Sequence, residues 1–184
     1  RSASASSGSD SSNGDDASNG DDDKITLDPT VQIIQDSTDH EVVFAQSEVP
    51  VITGDILNSL RTTGKTLCVV GDGYTLQVSG KDVRNTTGEL NTSLELQQVE
   101  QGLEFVVNDG KTVPCSARID LDKCDYSRLY LYNETTGKWQ YLNSYKDGVI
   151  TLDTAGRYLL TNENLRFANI NWTFFIAGGV VLVV

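Results

Sequence analysis

The chain has 184 residues, with 14 Lys and Arg against 26 Asp and Glu, and its formal net charge at pH 7 is -12. A nucleic-acid partner requires clustered Lys and Arg side chains to neutralise phosphates, so this charge balance argues against one. One His and three Cys without a C-x-x-C pair give no zinc-binding pattern, and we predict no metal or other cofactor. The length suits one compact domain between two ends of unusual composition.

Residues 1–24 contain only Ser, Ala, Gly, Asp and Asn apart from Arg1 and Lys24. Such a segment has no apolar surface to offset the entropy lost on ordering, so we predict a disordered linker. Its aspartates do not follow the D-x-[DN]-x-[DN]-G spacing of an EF-hand calcium loop.

From residue 25 onward, short segments of alternating polar and apolar residues are separated by Gly, Asn and Asp, which suit tight turns. This spacing predicts an all-β domain over residues 25–163, an antiparallel β-sandwich of about ten short strands. One short helix is expected over residues 53–61, with a capping Thr or Asp at its start and Gly64 past its end. The predicted strands are residues 41–46, 66–70, 74–79, 93–99, 103–108, 117–121, 128–133, 139–143, 149–153 and 157–161.

The three cysteines leave the disulfide question open. A straight strand over residues 117–121 would hold Cys115 and Cys124 farther apart than the limit of about 7 Å between bridged Cα atoms. A bridge from Cys68 to one of the other two is sterically easier, and buried free thiols are the other alternative.

Two motifs resemble those of enzymes, but neither has the surrounding sequence pattern that the enzyme chemistry requires. Residues 59–66 resemble the phosphate-binding pattern G-x-x-x-x-G-K-[ST], but that loop needs a strand before it and a helix after it. Here the predicted order is reversed, so we predict no nucleotide binding. His40 lies between two acids and near Ser47, yet no G-x-S-x-G elbow accompanies them. We therefore predict a protein without catalytic residues.

The sharpest local feature is a hairpin over residues 129–142. If Asn133 and Lys138 close its loop, four rings share one side of the hairpin. We call them the aromatic face: Tyr130, Tyr132, Trp139 and Tyr141. Leu129, Leu131 and Leu142 are then expected on the other side, in the core. The rings either pack against the domain or form a platform for a carbohydrate or a partner protein.

Residues 152–158 are similar to the D-x-A/G-x-Y corner of immunoglobulin-like domains, in which a tyrosine hydroxyl ties a loop to the last strands. The spacing is one residue longer here and no Cys follows Tyr158. We therefore predict only a closing strand anchored by Tyr158.

Residues 170–184 form an apolar run without a charged side chain. Crossing a bilayer takes about 20 such residues, so we expect the start of a truncated transmembrane helix, with residues 164–169 as a juxtamembrane connector. Aromatic residues at its beginning suit the lipid interface. The alternative is an element buried in the protein. The predicted membrane-anchor residues are Trp172, Phe174, Phe175, Ile176, Val180, Val181 and Leu182.

Five segments occur in an order that resembles a β-sandwich module of clostridial and other Firmicutes surface proteins. They are G-D-I-L-x-x-L (residues 54–60), K-T-L (65–67), Y-L-Y-N-E-T-T-G-K (130–138), D-G (147–148) and G-R-Y-L-L (156–160). The resemblance implies surface display and no catalytic residue.

Together these features predict a non-enzymatic, membrane-proximal spacer or display module of a single-span cell-surface protein, with the β domain extracellular and the lipid bilayer as partner. The alternative is a module that binds a glycan or a surface protein through the aromatic face.

Overall fold

Two five-stranded β-sheets make up most of the computed structural model, which describes residues 27–165. The helices and strands in chain order are α1 (Pro29–Asp36), β1 (Glu41–Ala45), β2 (Val51–Ile52), α2 (Gly54–Thr63), β3 (Thr66–Gly71), β4 (Tyr74–Ser79), β5 (Leu90–Asn91), β6 (Gln97–Val99), β7 (Gly102–Val107), β8 (Ala117–Leu121), β9 (Arg128–Asn133), β10 (Lys138–Ser144), β11 (Val149–Leu152) and β12 (Gly156–Thr161). The first sheet has the order β1-β3-β4-β8-β11 and the second the order β10-β9-β12-β7-β6, while β2 and β5 form a small separate pair.

The hydrophobic core is shared by the two large sheets. Along β4, for example, Tyr74, Leu76 and Val78 are buried and alternate with less buried residues, as expected for a strand with one side facing the core. Phe105 and Tyr158 of the second sheet belong to the same buried cluster. The fold is therefore predominantly β and built from packed sheets, as predicted.

The predicted helix is confirmed as α2. Thr53 caps its start by accepting a hydrogen bond from the backbone N–H of Ile56 at 3.5 Å, and Gly64 ends it with a φ of 69°. Ile56 and Leu60 are buried in the core. Gly80 lies so close to Leu60 that a Cβ atom there would overlap the Leu60 carbonyl oxygen.

The expectation of a single helix was wrong, because α1 precedes the first strand. Asp28 caps it by accepting from the N–H of Thr30 at 2.8 Å, and Pro29 occupies the first helical position. Lys65 donates from Nζ to the carbonyl oxygens of Ile34 and Ser37 near the end of the helix, the latter at 2.6 Å.

The sandwich is not purely antiparallel, which corrects the second part of the fold prediction. β1 runs parallel to β3, with Val43 opposite Cys68. Parallel neighbours need a crossover of a dozen or more residues, and β2 and α2 lie in that connection. The remaining paired strands among residues 27–165 are antiparallel.

The predicted strand over residues 93–99 is mostly absent, since β6 begins at Gln97. The phenol of Tyr74 accounts for this difference. Its hydroxyl donates to the carbonyl oxygen of Thr92 at 2.6 Å and accepts from the N–H of Leu94 at 3.1 Å. A buried side chain thus replaces strand partners for this backbone.

The predicted linker over residues 1–24 and the predicted membrane segment over residues 170–184 lie outside the described residues. Neither α-helix within residues 27–165 has the length and apolar character needed to cross a bilayer.

Candidate functional site

The register of the β9–β10 hairpin is as predicted. Asn133 pairs with Lys138, and the next outward pairs place Tyr132 opposite Trp139 and Tyr130 opposite Tyr141. The loop is closed by the Asn133 carboxamide, whose oxygen accepts hydrogen bonds from the N–H groups of Thr135 and Thr136 at 3.0 and 3.1 Å. Gly137 follows with a φ of 64°. The loop sequence therefore fixes which rings face each other.

The aromatic face consists of two edge-to-face ring pairs. The centroids of Tyr130 and Tyr141, the inner ring pair, lie 5.5 Å apart with a 67° angle between the rings. Those of Tyr132 and Trp139, the outer ring pair nearest the hairpin loop, lie 5.2 Å apart at 62°. Both geometries are favourable because the positive edge of one ring meets the negative face of the other. The rings are thus held in place by each other.

The guanidinium of Arg157 lies over the outer ring pair. This residue was not identified from the sequence. Its guanidinium carbon lies 5.3 Å from the ring centroid of Tyr132 and 5.6 Å from that of Trp139, within the range of cation–π attraction. The same guanidinium forms an ion pair with Glu104, and the two side chains are 23% and 13% exposed. The second sheet brings these groups together because β12 lies between β9 and β7.

Tyr130 serves the packing of the domain. The residue is 1% exposed and forms a small cluster with Leu159 and Leu165 on the side of the second sheet that faces away from the core. Its hydroxyl donates to the carbonyl oxygen of Glu163 at 3.2 Å and accepts from the N–H of Leu165 at 3.3 Å. Trp139 and Tyr141 are half-buried against the same cluster.

A cleft of about 240 Å³ opens beside the inner ring pair. Its lining includes Tyr130 and Tyr141, together with Arg128, Ser144 and Asn164. The hydroxyls of Tyr141 and Ser144 are 2.8 Å apart and share a hydrogen bond. Aromatic rings, hydroxyls, an amide and a guanidinium could together contact a sugar ring or a lipid headgroup.

The prediction for Leu142 was wrong. The pairing of β9 with β10 shifts between Tyr141 and Asn143, so Leu142 sits at a β-bulge and is 40% exposed. Leu129 is buried in the core and Leu131 packs against it, as expected.

The other candidate groups do not come together. His40 and Ser47 are both exposed and stand beyond opposite ends of β1, roughly 20 Å apart for an extended chain. In the phosphate-loop candidate the helix α2 precedes the strand β3, as predicted. Among residues 27–165, no group of His, Cys, Asp and Glu side chains is arranged to hold a metal ion.

The three cysteines are free thiols. Burial raises the pKa of Cys68 to about 12, with a further contribution from Glu41, whose carboxylate accepts a hydrogen bond from the thiol at 3.0 Å. Burial also raises the pKa of Cys115 to about 11. Both groups therefore stay protonated at neutral pH, which makes them poor nucleophiles.

The anchoring role of Tyr158 is confirmed. Its hydroxyl donates to the carbonyl oxygen of Thr154 at 2.5 Å, and its ring stacks on Phe105 with centroids 5.6 Å apart. Burial raises the pKa of this phenol. Tyr158 thereby ties the loop before β12 to the second sheet.

Comparisons with protein-family models, with curated proteins and with solved structures give no significant match to this chain. What the protein does is therefore inferred from its own contacts, above all from those around the aromatic face.

Proposed function

We propose that this protein is a non-enzymatic spacer and display module of a single-span cell-surface protein, with the β-sandwich held at the outer side of the membrane. The position of Leu165 supports this best. Its side chain is 8% exposed and packs with Tyr130 and Leu159. The folded body is thus fixed to a point only five residues before the apolar residues 170–184.

The short connection keeps the body close to lipid in this proposal. Five extended residues reach at most about 17 Å. Along this chain they lead from the outer side of the second sheet to an apolar sequence that contains no charged residue. The sandwich would then stand on the membrane surface, and the acidic residues 1–24 belong to the opposite end of the sequence from the anchor.

The strand nearest the proposed anchor is paired with a neighbour on each side, which suits it to bear a mechanical load. β12 is paired with β7 through five residue pairs and with β9 through four. A pull on the chain after Thr161 would therefore act on a strand hydrogen-bonded on both sides. The sequence resemblance to surface-protein modules points the same way.

Vesicle flotation of the full chain tests this proposal. We expect the protein to float with phosphatidylcholine vesicles, and the double variant Val180→Asp/Val181→Asp to stay at the bottom of the gradient, because carboxylates are costly in hydrocarbon. The matched control is Val43→Asp/Val70→Asp, which places the same charges at positions that are 60% and 46% exposed in the first sheet. Equal flotation of both variants, or no flotation of the parent, would refute the anchor.

A second candidate function is glycan or protein recognition, favoured by the cleft beside Tyr130 and Tyr141. The double variant Tyr132→Ala/Trp139→Ala distinguishes it from packing. Unchanged melting with loss of binding in a glycan or surface-protein screen would support recognition. A lower melting temperature with no ligand for the parent would support a packing role.

A further inference from the structure

The four rings of the aromatic face lie on the outer side of the second sheet, where Leu165 also packs. The corresponding outer side of the first sheet carries no aromatic residue in its paired strands. Strand alternation and register place there Glu41, Val43, Ala45, Thr66, Cys68, Val70, Thr75, Gln77, Ser79, Arg118, Asp120, Val149 and Thr151. The two outer surfaces of the sandwich therefore differ strongly in chemistry.

From this asymmetry we infer that the three half-buried rings of the aromatic face, Tyr132, Trp139 and Tyr141, lie against the lipid headgroups, so that the sandwich stands on the bilayer in one defined orientation. This inference rests on the proposed function and adds which surface meets the membrane. The occupant of the face is thus a lipid interface, and a glycan in the cleft is an outcome of the test.

The exit point of the chain is the first argument for this orientation. Leu165 packs directly on the Tyr130 cluster, to which Trp139 and Tyr141 also belong. A tether of at most about 17 Å keeps the rings near any bilayer that contains residues 170–184. A short tether raises the effective concentration of the face at the surface to the millimolar range, so weak individual contacts suffice.

The chemistry of the face is the second argument. Tyr and Trp have an apolar body and a polar tip, and they are enriched where membrane proteins meet the headgroup layer. Arg128 lines the cleft beside Tyr130 and Tyr141 and forms no ion pair within residues 27–165. A guanidinium in this position suits a lipid phosphate. Arg157, in contrast, is neutralised by Glu104 and holds the outer rings in place.

The chain contains two tryptophans, which makes the inference directly testable. In the Trp172→Phe variant, Trp139 is the sole tryptophan and reports the aromatic face. In Trp139→Phe, Trp172 reports the proposed anchor. Each full-length variant is mixed with phosphatidylcholine vesicles carrying a spin label at a shallow acyl position, and fluorescence quenching is measured on the floated fraction.

The matched control places a tryptophan on the opposite surface of the sandwich. Val43→Trp in the Trp139→Phe/Trp172→Phe background introduces this probe at a position that is 60% exposed in the first sheet. We expect Trp139 and Trp172 to lose fluorescence to the shallow label, and the probe at position 43 to keep its fluorescence.

The failures of the two proposals give different results. Quenching of Trp172 without quenching of Trp139 would overturn the orientation and leave the anchor intact. Absence of quenching for both would refute the anchor and the orientation together. Equal quenching of Trp139 and the position-43 probe would show undirected contact and also overturn the orientation. A change in Trp139 fluorescence on addition of glycans, in the absence of vesicles, would assign the aromatic face to carbohydrate instead.

Discussion

The backbone N–H of Leu165 donates to the phenolic oxygen of Tyr130 at 3.3 Å, which joins the last described residue to β9 of the second sheet. The same hydroxyl donates to the carbonyl oxygen of Glu163. One phenol thus satisfies two backbone groups of the segment that follows β12. It also holds Leu165 on the outer side of the second sheet.

The first prediction concerns the removal of that hydroxyl. Tyr130→Phe leaves a buried N–H and a partly buried carbonyl oxygen without this partner, and we expect the free energy of unfolding to fall by about 1–3 kcal/mol. Urea denaturation of the full chain measures the change. Tyr132→Phe, in a half-buried ring of the same hairpin, is the control and should change stability by less than about 0.5 kcal/mol. Equal effects would show that the Leu165 tie is unimportant.

The second prediction concerns the close approach of α2 to the end of β4. A methyl group at Gly80 would overlap the carbonyl oxygen of Leu60, so we expect Gly80→Ala to cost about 3 kcal/mol through displacement of the helix. Gly110→Ala is the comparison, because Gly110 has a φ of 76° but open space around it. Its cost should be only the conformational one, about 1 kcal/mol. A mild effect at Gly80 would contradict the packing of α2 described here.

Features set by neighbouring residues could be predicted from the sequence. The hairpin register follows from a short loop, since Asn133 and Gly137 supply its turn geometry. The start and end of α2 follow from Thr53 and Gly64 for the same reason. The anchoring bond of Tyr158 spans only four residues. In each case the physical cause lies within a few positions of the chain.

Features that depend on distant pairing could not be predicted in this way. Arg157 reaches Tyr132 only because β12 inserts between β9 and β7, and nothing local to Arg157 specifies that neighbour. The parallel pairing of β1 with β3 depends likewise on a crossover. Leu142 follows the alternation expected of a core residue, but the β-bulge at this position leaves its side chain exposed. α1 was missed although its capping Asp28 is local, because its apolar face is short.

The third prediction is a loss of stability at alkaline pH that depends on Cys68. The pKa of its thiol is raised from 9.0 to about 12 in the folded protein. The contribution of this thiol to the free energy of unfolding is therefore complete below pH 9 and is lost as the pH rises toward 12. The free energy of unfolding should fall in this range by at most about 1.4 kcal/mol per pH unit for this group.

Cys68→Ser tests that assignment, because a serine hydroxyl can still donate to Glu41 but does not ionise. We expect its unfolding free energy to depend less steeply on pH than that of the parent between pH 9 and 11, in denaturation series under reducing conditions. The tyrosines and the other two cysteines contribute equally to the pH dependence of stability in the parent and in the variant. Parallel pH profiles would show that Cys68 ionises as readily in the folded state as in the unfolded one.

The fourth prediction compares two ion pairs of different exposure. Glu104→Gln leaves the guanidinium of Arg157 shielded by the aromatic face without its counter-charge, and we expect a loss of about 1–3 kcal/mol. Asp153→Asn removes the acid of a pair with Arg84 whose side chains are 64% and 52% exposed and 3.7 Å apart. That change should cost less than about 0.5 kcal/mol because solvent screens the pair. Denaturation midpoints of both variants measure the difference. If the two substitutions prove equally mild, Arg157 does not need Glu104 to remain against Tyr132 and Trp139, and the rings hold the cation without help.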